Sequence, residues 1–209
     1  LFYHIFYHLG GLNQRFLKNQ LMLEPLDAYH LARYLRERGE VEFIEDVFSR
    51  YTSPMTLEEC FPIFVMKTTE PDDTCVFLKD GRCSVYEARP RTCRMYPFTA
   101  VPGQRGKAFE YLKCVDSHAA HFSEGRILVK DWVYQNFKAD AREFLSAESR
   151  ILSELREPFR ALGAEKMEKY LFKILFHRYY DYDLDQPFMQ QYVRNMEALK
   201  GVLQTALES

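Results

Sequence analysis

Residues 75–97 read CVFLKDGRCSVYEARPRTCRMYP. Three thiols, Cys75, Cys83 and Cys93, are separated here by two backbone-turning pairs, Asp80-Gly81 and Arg89-Pro90. Asp-Gly between two apolar pieces signals a tight hairpin, which would bring Cys75 and Cys83 towards each other. The residue before a proline is pushed out of the helical region, so Arg89-Pro90 breaks the backbone again. A fourth thiol, Cys114, follows, with gaps of seven, nine and twenty residues between successive members of the set. None of these gaps is a tight CxxC knuckle. Thiolates gathered by loops and short strands build zinc or iron–sulfur sites. Arg82, Arg89, Arg91 and Arg94 flank the thiols; positive charge favours thiolate over thiol and offsets the charge of a multi-thiolate site. Cysteine is also among the most buried residue types, so a small thiol-lined core is the competing reading, and spacing alone leaves both open. Cys60 stands apart and reads as core.

Around this centre the pattern is helical on both sides. LEPLDAYHLARYLRER (23–38) places Pro25 and Asp27 at a helix start and Arg36 and Arg38 at its end, with Gly39 as a stop. A second helix fits 41–51, with Pro54 just past its end. FPIFVMKTT (61–69) reads as a buried strand, and KAFEYLKC (107–114) as a short strand leading to Cys114. Beyond Gly125, Val129, Val133, Phe137, Phe144, Ile151 and Leu155 recur at helical steps, with a break expected at Pro158. Further helices fit 164–179, through Met167, Leu171, Ile174 and Leu175, and 188–207, opened by Pro187, through Tyr192, Val193, Met196, Leu199 and Leu203. The fold class is therefore α+β: two N-terminal helices, a small Cys-rich β region and a C-terminal helical group. The expected division is residues 1–125 for the cysteine-cluster unit and 126–209 for a helical extension packing on it.

The chain has 209 residues, 28 basic and 30 acidic, for a net charge of −2. That balance argues against a nucleic-acid partner, which would favour a basic face. No apolar run reaches the length of a membrane span. The start, LFYHIFYHLGG, lacks a basic leader and a small-residue cleavage site and does not read as a signal peptide; without an initiator Met the chain reads as a processed or incomplete copy of a longer one. Five cysteines, an odd number, fit a reducing, cytoplasmic setting better than a disulfide framework.

Other chemistry-bearing residues read more simply. His118 and His121 could complete a mixed Cys/His site, but solvated loop positions suit them better. His4 and His8 share a helical spacing without a supporting carboxylate. His30 and His177 fall in helical patterns and look structural or exposed. DYDLD (181–185) reads as a solvated acidic loop. Arg89, Arg91 and Arg94 suit either an anionic substrate or structural pairing.

The central stretch resembles the CxxCxxCC (YkgJ-type) cysteine-cluster proteins, described as zinc- or iron-chelating domains. The resemblance rests on Cys75-Val76-Phe77-Leu78, Cys83-Ser84-Val85-Tyr86-Glu87, Arg89-Pro90, Cys93-Arg94-Met95-Tyr96-Pro97, the later Cys114 and the upstream LEPLDAYHLARYL helix. It covers residues 11–135. Where the family's first cysteines stand, this chain reads GGLNQRFLKNQLMLEP (10–25), and no cysteine occurs before Cys60. The resemblance implies metal binding, zinc or iron–sulfur, through Cys75, Cys83, Cys93 and Cys114. Relatives include flagellin lysine-N-methylases, which imply a protein-modifying alternative with a cleft lined by Tyr86, Arg94 and Tyr96 and a protein partner or substrate. A metal-free interaction scaffold is the third reading, and whether the chain is an enzyme stays open.

Overall fold

The computed structural model describes residues 21–57, 61–71, 73–103, 107–113 and 128–209. The first helix, α1, spans Pro25–Glu37 and the second, α2, Ile44–Tyr51. Pro25 sits in the first turn of α1, where a missing N–H costs nothing. Gly39 takes a left-handed φ of 68° just past its end. Between the helices Val41 tucks into the core, and Asp46 accepts the backbone N–H of Phe43 to start α2.

Strands β1 (Thr52–Leu57) and β2 (Phe61–Met66) form an antiparallel pair. Every residue of β2 is buried. Its other edge is also occupied: Leu23 N–H donates to Phe64 O, and Met66 N–H to Leu21 O. A strand buried on both faces reads as a continuous apolar run rather than an alternating one. The strand β1, with Pro54 inside it, stands where the sequence suggested only a helix end. Proline is tolerated there because β1 is an edge strand.

Two small hairpins follow: β3 (Thr68–Thr69) with β4 (Thr74–Cys75), and β5 (Leu78–Lys79) with β6 (Arg82–Cys83). The second turns on Asp80-Gly81, both at positive φ, 51° and 72°, the conformation that Asp-Gly supplies in two-residue hairpins. Cys75 and Cys83 are therefore not cross-strand partners. Cys75 pairs with Thr68 and Cys83 with Leu78, on successive hairpins. A five-residue helix, α3 (Arg91–Met95), carries Cys93, and β7 (Phe98–Pro102) and β8 (Phe109–Lys113) form the last antiparallel pair.

The C-terminal group begins with α4 (Val129–Asn136). The long α5 (Ala139–Leu175) continues through Pro158 and is broken instead at Gly163, where φ is 71° and ψ 164°. A π-helical turn, Phe176–Tyr180, and α6 (Phe188–Glu208) complete it. These helices pack on the N-terminal elements through aromatic rings. Tyr179 meets Phe64 and Phe48 edge-on, and its hydroxyl donates to Pro62 O at 3.2 Å. Tyr29 of α1 lies 5.3 Å from Phe188 and donates to Gln186 O at 2.6 Å. The buried stripe of Val133, Phe137, Phe144, Ile151 and Leu155 runs as the periodicity suggests, whereas Val129, Leu171 and Val193 are exposed.

Inside this helical group lies a buried charged cluster. Arg178 and Glu148 pair at 2.5 Å with side chains 4% and 7% exposed. The Tyr192 hydroxyl donates to the same carboxylate, and the Arg178 guanidinium sits 4.9 Å from the Phe61 ring centroid. Burial alone would lower Arg178, but the charge of Glu148 holds it well above its ordinary value. Burial and then Glu148 push the Tyr192 hydroxyl upward, so it stays a neutral donor.

Candidate metal centre

The thiols are presented by three local devices. Cys75 closes β4 and is exposed; Cys83 closes β6 and Cys93 sits in the middle of α3, both half-buried; all three are free. The hairpins are stitched to the rest of the chain by main-chain bonds, Val76 N–H to Lys67 O and Ser84 N–H to Phe77 O. Phe77 anchors the loop between them by packing on Tyr51, ring centroids 4.6 Å apart.

Burial, then negative charge on Cys75, Asp27 and Cys83, push the Cys93 thiol up to about 12, while Arg89 pulls it down. The donor set matches the chemistry of zinc or iron, which take thiolates readily. Among the described residues, no group of three or more His, Cys, Asp or Glu side chains is assembled tightly enough to hold an ion by itself. Cys114 lies outside the described residues, as do Cys60, His4, His8, His118 and His121. The preceding residue, Lys113, is described: it pairs with Phe98 in the β7–β8 register, five positions beyond Cys93.

The arginines divide by role. Arg91 is 1% exposed, and its guanidinium forks onto Glu24, with Nη2 at 2.9 Å from both carboxylate oxygens and Nε at 3.2 Å from one. It also donates to Ala100 O at 3.3 Å. Arg94 Nη1 donates to Arg89 O at 2.5 Å, and Arg89 stacks 3.5 Å over the Tyr86 ring. These contacts favour the structural pairing over an anion site.

Asp27 was legible only as a helix-start charge. In the fold it is 3% exposed, accepts the Arg91 backbone N–H at 2.9 Å, and lies 4.0 Å from Arg94 Nη2. Burial, then the neighbouring Glu24, push its carboxyl up to about 7 against the pull of Arg91 and Arg94. Between pH 4 and 7 the folded chain therefore keeps a proton on Asp27 that the unfolded chain releases. Its contribution to stability falls as pH rises through that window, by up to about 1.4 kcal/mol per pH unit. Asp27→Asn, which cannot ionise, is expected to gain on the wild type as pH is raised from 4 to 7, then hold a constant difference; urea denaturation across that range measures it. His30, one turn further along α1, faces Asp140 at 3.3 Å and is lowered by burial despite that carboxylate.

No helix among the described residues is long and apolar enough to cross a membrane. No curated protein matches the chain, and no solved structure does. The resemblance first read from Cys75 to Pro97 is borne out over a narrower span than 11–135: residues 33–119 of this chain match the model of the CxxCxxCC family, described as a "Putative zinc- or iron-chelating domain".

Proposed function

We propose that the chain binds one zinc ion or one small iron–sulfur cluster through Cys75, Cys83, Cys93 and Cys114. The observation that carries this reading is the placing of Cys75, Cys83 and Cys93 on two successive hairpins and the short helix that follows them, within a segment matched to a zinc- or iron-chelating family. Lys113, the residue before Cys114 in the chain, pairs with Phe98, five positions after Cys93. Four thiolates close a tetrahedral zinc site without further ligands, and the same set holds a single iron–sulfur cluster. When bound, the ion would cross-link two hairpins, α3 and the end of β8. The residues supply the rest: Arg89 stabilises negative charge at Cys93, and Phe77 and Tyr51 hold the loop between the hairpins.

Elemental analysis of protein purified without oxygen tests the proposal. About one equivalent of zinc, or visible absorption with matching iron, is expected, and Cys83→Ser and Cys93→Ser should each reduce the content to about a tenth or less and destabilise the fold. Wild-type protein with less than about a tenth of an equivalent of either metal refutes metal binding. Serine variants as stable as a metal-free wild type would then point to the interaction scaffold. Calorimetric binding of a methyl-donor cofactor would point to the lysine-modifying alternative.

A further inference from the structure

We infer that Asp27 is a positioning residue of the thiol cluster: its carboxylate, accepting the Arg91 backbone N–H, fixes the helical turn that carries Cys93. This deepens the metal-binding reading and rests on it for the consequence at the ion. Helix α3 starts at Pro90, whose ring offers no side-chain oxygen to cap the first turn. The first backbone N–H of that turn is met from 64 residues away by Asp27 Oδ1, at 2.9 Å in a buried setting. Three residues earlier, at the N-cap of α1, Glu24 grips the guanidinium of the same arginine. Two carboxylates three residues apart, one at the N-cap of α1 and one in its first turn, thus hold both the backbone and the side chain of Arg91, two positions before Cys93. The other end of α3 is also held, by the Trp132 indole N–H on Met95 O at 2.9 Å. Without an oxygen at Asp27, the Arg91 N–H loses its buried 2.9 Å bond to that side chain, and the turn is no longer fixed against α1 at this point. Metal ligands tolerate displacements of only about 0.2 Å.

The test uses the full chain with cobalt(II) as the probe ion and four variants. Asp27→Ala removes the acceptor, Asp27→Asn keeps it without charge, and Asp27→Glu keeps charge but displaces the oxygen by one methylene. Leu203→Ala opens the distant core as a control for general loosening. Cobalt affinity and charge-transfer absorption are measured. So is the iodoacetamide alkylation rate of Cys93 in metal-free protein, by peptide mass spectrometry. Asp27→Ala is expected to weaken cobalt binding about tenfold or more, with Asp27→Glu intermediate and Asp27→Asn within about threefold of wild type. Cys93 alkylation should accelerate in the same order and stay near the wild-type rate in Leu203→Ala. If Asp27→Ala does not fold, the Asp27→Glu and Asp27→Asn pair decides. Alkylation of Cys93 at wild-type rate in Asp27→Ala, equal acceleration in Leu203→Ala, or an Asp27→Asn variant more impaired than Asp27→Glu overturns the inference. A wild type that binds no cobalt refutes the metal reading alone, because the alkylation series still reports on how Cys93 is held.

Discussion

Arg178→Met is expected to cost about 3–5 kcal/mol of folding free energy, because it strands the Glu148 carboxylate in the core without its cation. Glu148 is 6% exposed and receives both the Arg178 guanidinium and the Tyr192 hydroxyl. Once the guanidinium is gone, the carboxylate must either stay charged at high cost or take up a proton. The cluster itself need not stabilise the fold, since the burial of two charges consumes most of what their attraction returns. Glu148→Leu/Arg178→Met/Tyr192→Phe, which clears every polar member, should therefore recover most of the loss. Urea denaturation of the single and triple variants separates the two cases. A single variant within about 1 kcal/mol of wild type would mean that the site is wetter or more adaptable than its burial implies.

Arg91→Met should be comparably severe, about 3–5 kcal/mol by the same measurement, and its effect should also reach the thiols. It leaves Glu24 unpaired behind α1 and frees the Ala100 carbonyl in β7. Arg91→Lys keeps the charge but cannot reproduce the fork of bonds onto Glu24, so it should fall between the methionine variant and wild type. Because Arg91 starts the turn bearing Cys93, both variants should lower metal content as well as stability. The Arg178 series should lower stability alone. A metal content that follows stability equally in both series would argue against a local role for Arg91.

Some of this architecture was legible in residue order and some was not, for physical reasons. LEPLDAYHLARYLRER announced α1 because its punctuation is local: proline at the start, glycine with left-handed φ at the end. Asp80-Gly81 and Pro187 worked the same way. Pro54 does lie just past the end of α2, but the strand that contains it was not legible, because a proline follows helices and also sits on strand edges, and only the partner strand tells the two apart. In α5 the backbone keeps helical angles through Pro158, whereas Gly163 adopts a region that other residues avoid and makes the break. Glu24, Asp27, Arg91, Glu148 and Arg178 were the least readable. A charged residue in a helical pattern looks like solvent-facing surface, and its burial depends on a partner 30 to 67 residues away. The four cysteines were visible as a set from their motif neighbours, but the order of the hairpins that carry them was not.

The chain has one tryptophan, and its indole is the group that grips the end of the Cys93 turn. Emission from that ring is thus an optical gauge of the turn that bears Cys93, responsive to the polarity around the Met95 carbonyl. Any event that reorders α3, whether ion loading, thiol oxidation or loss of the Asp27 clamp, should register in its wavelength and intensity without an added label.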